Sequence, residues 1–126
     1  MTLKFLGAAT AVAVLAAAIS MTSAVAQPAA DGGALFRQRC LACHSVTPGA
    51  RAVLAPNLAG IVGRGAASAA FNYSPALKAS KLVWTRANLD RFLTSPMRMV
   101  PGTRMVISVS DAQQRAAILN YLATTR

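Results

Sequence analysis

Cys40-Leu41-Ala42-Cys43-His44 contains the only two cysteines and the only histidine of the 126-residue chain. Two thiols three positions apart, with an imidazole directly after the second, make the C-x-x-C-H pattern of c-type haem attachment. The spacing answers the chemistry. On one helical turn both sulfurs stand on a common side, where they can add across a porphyrin's two vinyl groups. The next residue brings an imidazole under the iron as proximal ligand. Other uses of these residues fare worse. A structural zinc site wants four soft ligands, commonly from two such knuckles, and here there is a single knuckle with no further Cys or His. A thioredoxin-like thiol switch places C-x-x-C at a helix start after a strand, and residues 33–39 do not read as a strand.

A motif of this kind needs export and a small domain to hold it. Lys4 is followed by an apolar run from Phe5 to Ile19, then by small and polar residues ending Ala24-Val25-Ala26, an A-x-A cleavage signature. The run is short for a spanning helix, which needs about 20 residues. Residues 1–26 therefore read as a Sec-type signal peptide; retention as an N-terminal anchor is the alternative. Residues 27–126 form one domain. The mean hydropathy of +0.45 overstates its greasiness, because the leader carries much of the apolar content. Removing Lys4 with the leader takes the formal charge from +10 to +9. A domain this small has limited apolar area to bury and leans on a cofactor or staple.

The elements follow from caps and periodicity. Asp31 reads as an N-cap, with a helix running from there towards Cys40. Gly32-Gly33 is poor for helix propensity and is suited to close approach of another helix. From Ser45 to Phe71 small residues, Gly and Pro predominate, as in a long wrapping loop that covers something. Ser74-Pro75 reads as a cap followed by Pro at the first helical position, opening a helix to about Ser80. Thr85 caps the next, whose Leu89, Phe92 and Leu93 form an i, i+3, i+4 stripe ended by Ser95-Pro96. Pro96 to Val109 reads as irregular and holds Met97, Met99 and Met105. Ser110-Asp111-Ala112-Gln113 has the form of a capping box, opening a last helix with Ile118, Tyr121 and Leu122 inward. No segment alternates as a strand does. The expectation is an all-α domain.

These residues resemble the class I cytochromes c, the mitochondrial and soluble bacterial type, over about Gly32 to Leu122. Beyond the first motif the resemblance rests on Pro56-Asn57-Leu58, Gly60-Ile61-Val62-Gly63-Arg64, Phe71-Asn72-Tyr73, Trp84 and Pro101-Gly102-Thr103-Arg104-Met105. It implies a small cytochrome c fold, three to five helices with long loops wrapped around one covalent haem c. It also implies Met105 as second axial ligand. An iron so placed wants a soft thioether from the chain's other end, for which Met97 and Met99 compete. The resemblance further makes Pro56 the carbonyl partner of the proximal imidazole, and matches Arg64, Tyr73 and Trp84 to residues that hold the haem propionates. Gly32 and Phe36 match a first-helix pair packed on the last helix, near Ile118 and Tyr121. There are departures. Phe92 stands where mitochondrial members usually have a tyrosine, Arg104 replaces a lysine, and the domain has only three acids, Asp31, Asp90 and Asp111.

With His44 and Met105 both bound, an iron has no position left for substrate, which argues against oxygenation, hydrolysis or group transfer. The expected function is one-electron carriage in the periplasm between membrane or periplasmic redox enzymes, without enzymatic activity. The alternative makes the domain a haem c subunit of a periplasmic dehydrogenase. A gas-binding sensor is disfavoured, since c-type sensors usually carry the motif near the C-terminus of a four-helix bundle. Arg37, Arg39, Arg51, Lys78, Lys81, Arg86, Arg91, Arg98, Arg104 and Arg115 are scattered and read as mostly solvated. The family's haem edge is ringed by cations, and Arg39, Arg51, Arg98 and Arg104 fall where such a ring would be. Such a rim steers a monomer to acidic docking patches on a cytochrome bc1-type complex, an oxidase, a reaction centre or a dehydrogenase. Nucleic acid is not an expected partner; anionic membrane surfaces are a secondary attraction.

Overall fold

Side-chain caps start four of the five helices that follow Gln27. The structure is a computed structural model and describes residues 28–126; the expected signal peptide lies outside them. Asp31 Oδ1 accepts from the amides of Gly33 and Ala34 at 2.9 and 3.1 Å, opening α1 (Gly32–Arg39). Ser74 caps α2 (Pro75–Ser80) and Thr85 caps α3 (Arg86–Thr94), each through its hydroxyl to an amide three residues on. α4 (Pro96–Met99) is a single turn, and α5 (Ala112–Leu122) closes the chain. The fold is all-α as expected. Among the described residues there is no strand, only an isolated antiparallel bridge between Gly65 and Val83. No described helix is long and apolar enough to cross a membrane.

Two local readings are corrected. Pro96 does more than stop α3. Its fixed φ suits a first helical position, and Val100 N returns to the Pro96 carbonyl at 2.9 Å, so a short helix stands where irregular chain was expected. The cap of α5 is Asp111, one residue later than the box anticipated; its carboxylate accepts from Gln114 N at 2.9 Å. A charged acceptor at a helix N-terminus outcompetes the neighbouring Ser110 hydroxyl.

α1 and α5 cross at contact distance, and Gly32 is what permits it. A Cβ there would fall on the Ala117 carbonyl oxygen and meet Tyr121 Cβ at 3.0 Å. The crossing is filled by Phe36, Ile118 and Leu119, all fully buried, with the Phe36 and Tyr121 rings 5.4 Å apart. Ile61, Trp84, Leu89, Phe92, Leu93 and Val109 continue this core towards the long loops. Gly60 N donates to the Thr125 carbonyl at 2.9 Å, fastening the wrapping loop to the C-terminus.

Candidate functional site

The Cys-His segment extends the end of α1. Cys40 and Leu41 amides both return to the Phe36 carbonyl, and His44 N donates to the Cys40 carbonyl at 2.9 Å. The motif thus makes one further helical turn, and Cys40, Cys43 and His44 line a single cavity of about 430 Å³. Both thiols are free, Cys40 half-buried and Cys43 exposed. Burial pushes the Cys40 thiol above its ordinary range, with the adjacent Arg39 charge opposing.

His44 Nδ1 lies 2.7 Å from the Pro56 carbonyl oxygen. A carbonyl only accepts, so Nδ1 carries the proton and Nε2 keeps its lone pair. Burial holds the imidazole pKa below its ordinary value, and the bond to Pro56 works the other way. The loop that carries Pro56 is tied in place by its neighbour. The Asn57 amide donates to the carbonyls of Thr47 and Ala50 at 2.7 and 3.0 Å, and its Oδ1 accepts from Ala59 N at 2.8 Å. Arg64 crosses back to the same loop, with Nη1 on the Ala59 carbonyl and Nη2 on that of Asn57.

Met105 reaches the cavity from the other end of the chain. Thr103 N closes a turn onto the Val100 carbonyl at 3.0 Å, with Gly102 at φ +91°. Glycine takes that left-handed position without a Cβ penalty. Met97 is 56% exposed, Met99 packs on the core, and neither lines the cavity. Apolar side chains of Ile61, Leu77, Phe92, Leu93 and Val109 form much of the wall, beside Arg64, Tyr73 and Trp84. The Trp84 and Phe92 rings are 4.9 Å apart. Cys40, Cys43, His44, Pro56, Arg64, Tyr73, Trp84 and Met105, from six separate stretches of chain, therefore line one cavity.

The family profile for cytochrome c matches residues 29–126. This chain belongs to the cytochrome c family. It is 42% identical to a cytochrome c2 of Rhodomicrobium vannielii over 107 residues, covering 81% of this chain and 85% of that protein. A cytochrome c2 of Blastochloris viridis is 38% identical over 83% of this chain and 84% of its own length. The structure of cytochrome cH from Methylobacterium extorquens superposes with a TM-score of 0.70 at 36% identity, covering 79% of this chain and 100% of that one. Membership in the cytochrome c family brings one covalently bound haem c and makes the chain a haem-based electron carrier.

The residues present fit that group. Two free thiols and an imidazole with a free Nε2 line a largely apolar cavity, and a thioether lines the same cavity. Arg64 Nε is buried with no partner, a donor lacking an acceptor beside that cavity. Only part of the expected cation ring gathers there. Arg39 and Arg104 line the cavity, Arg51 lines a smaller adjoining one that shares Cys43 and His44, and Arg98 on α4 lines neither. Sequence reasoning missed Asn57 as the organiser of the Pro56 loop and Arg115 as anything but surface. Arg115 is 9% exposed and paired with Asp90 at 2.8 Å. Its place on α5 at i, i+3, i+4 and i+7 with Ile118, Leu119 and Leu122, on the same helical face as the buried stripe, was the available signal.

Proposed function

We propose that the chain is an exported, periplasmic one-electron carrier in which His44 and Met105 are the axial ligands of haem c, serving membrane or periplasmic redox enzymes without catalysis of its own. Bound haem c supplies a one-electron Fe(III)/Fe(II) couple whose potential depends on axial ligation and burial. One observation carries this reading: an imidazole from the end of α1 and a thioether from the segment before α5 line one apolar cavity, while Met97 and Met99 stand off it. The Pro56 carbonyl orients the His44 ring and makes it a better donor. Arg64 Nε, the Tyr73 hydroxyl and the Trp84 indole N–H supply the donors that two partly buried propionates need. Leu93, Phe92 and Ile61 exclude water. Two strong-field side chains leave no coordination position for substrate.

At the cavity mouth Arg39 and Arg104 lie beside Leu54, Val106 and Ile107, which are exposed. A cationic, apolar-centred rim suits brief contact with acidic patches on redox partners. The haem-loaded ferric protein should show the weak near-infrared band of a methionine-ligated iron, and its ferrous form should fail to bind CO. Met105→Ala should abolish the band and admit CO, while Met99→Leu changes neither. Retention of the band in Met105→Ala would refute the assignment.

A further inference from the structure

The segment that carries Met105 is held only by its flanks. Among the described residues nothing hydrogen-bonds to the backbone of 105–108, and Val106 and Ile107 are 65% and 55% exposed. Upstream, Thr103 N is fixed to the Val100 carbonyl and Arg104 Nη1 donates to the Asn72 carbonyl at 2.6 Å. Downstream, Val109 N donates to the Leu93 carbonyl at 2.8 Å. The carbonyls at that end are taken by one side chain. Arg115 Nη1 donates to Val109 O at 3.0 Å and to Ser110 O at 2.7 Å. Its Nε donates to Asp90 Oδ1 at 2.8 Å. Asp90 belongs to α3, the same helix whose Phe92 and Leu93 line the cavity.

We propose that Arg115, oriented by Asp90, is a positioning residue that anchors the trailing end of the Met105 segment to α3 and so sets how firmly the thioether is kept in the cavity. The proposal rests on the axial assignment of Met105 above. The physical case is one of geometry and charge. A guanidinium is a planar fork that reaches a carboxylate and two carbonyls at once, which no other side chain does. The guanidinium is buried while Asp90 is 43% exposed, so removing the carboxylate leaves a buried cation with only its two carbonyls, whereas removing the guanidinium leaves Asp90 to water. With Val109 and Ser110 pinned, the 105–108 segment spans two fixed ends. Released at one end, it gains freedom to swing Met105 away while α1, α5 and the His44 side stay as they are.

The experiment uses the haem-loaded ferric protein and follows displacement of Met105 by saturating imidazole in a stopped-flow instrument, alongside urea unfolding of each variant. Arg115→Met should accelerate displacement at least about tenfold, the factor that loss of a single charge-assisted hydrogen bond confers. Asp90→Asn, which keeps the guanidinium and folds under milder perturbation, should give a smaller acceleration in the same direction, and Asp90→Glu should restore the rate. Asp31→Ala removes the α1 cap and supplies a control that lowers global stability without touching the segment; compared at equal unfolding free energy in urea, its rate should match that of the unsubstituted protein. If displacement rates follow the urea midpoints whichever residue is changed, Arg115 is merely structural and the proposal fails. If Met105→Ala binds imidazole no faster than the unsubstituted chain, Met105 is not what imidazole displaces, and the axial assignment falls together with the clamp built on it.

Discussion

His44 shows how a single side chain is prepared before any metal arrives. Its Nδ1–H is committed to the Pro56 carbonyl, so the nitrogen left over is the unprotonated one. Burial holds its pKa below the ordinary imidazole value, and the Pro56 bond only partly offsets this. The consequence for stability has a definite sign. In the unfolded chain His44 takes up a proton near its ordinary value of roughly 6.5, while the folded chain resists until lower pH. The unfolded state therefore binds more protons across that window, and stability is fully present above it and lost as pH falls through it. The urea midpoint of the haem-loaded protein, followed by Trp84 fluorescence, should drop between about pH 7.5 and about pH 5, because an Nε2 held by iron resists protonation further in the same direction; a midpoint that rises on acidification would contradict this account of His44. At this scale the motif was legible because its three reactive residues fall within five positions and no other Cys or His occurs in the chain. The ties that set Pro56 were not, since Asn57 and Arg64 bind backbone carbonyls of Thr47, Ala50 and Ala59, partners that carry no residue-type signal.

Elements in this fold are set by their ends and by one crossing. The α1–α5 contact has no room for a side chain at Gly32, whose Cβ would meet backbone rather than a yielding side-chain tip. Gly32→Ala should therefore cost at least the upper part of the roughly 1–3 kcal/mol typical of overpacking. Gly65→Ala is the contrasting case. Nothing lies within 4 Å of its Cβ position and its φ is not left-handed, so stability should change by less than about 1 kcal/mol. Urea unfolding of the two haem-loaded variants checks both, and equal midpoints would show that the crossing does not need the glycine. The same elements show where reading a sequence succeeds. Asp31, Ser74 and Thr85 read as caps from type and position, and each makes its side-chain bond. α4 was missed because Ser95-Pro96 both ends one helix and begins the next. The α5 cap slipped by one residue because Ser110 and Asp111 each have a glutamine three positions on. Arg115 was lost among surface cations because its partners, Asp90 and two carbonyls, come together only when α3 and α5 pack.

At the scale of the whole molecule the cavity divides the apolar side chains into two groups. Phe36, Ile118 and Leu119 are closed over by α1 and α5. Ile61, Trp84, Phe92, Leu93 and Val109 have protein behind them and the 430 Å³ cavity in front. At roughly 24 cal/mol per Å³, leaving 430 Å³ unfilled would cost on the order of 10 kcal/mol. Entry of water through the open mouth lowers that figure but wets the apolar wall instead. Either way the loss is comparable to the entire stability of a small domain, about 5–15 kcal/mol. The long stretches between Ser45 and Tyr73 cannot make up the difference, because their backbone bonds are few and their side chains mostly small. Loops of that length hold a course only around something that fills the space they enclose. Blocking attachment with Cys40→Ser and Cys43→Ser together should thus leave a chain without a cooperative far-UV thermal transition, with residual helix confined to segments such as α5 that are too short to persist alone. A sharp transition in that double variant would mean that the α1–α5 crossing is a self-sufficient core, and that the prosthetic group occupies the fold without being what completes it.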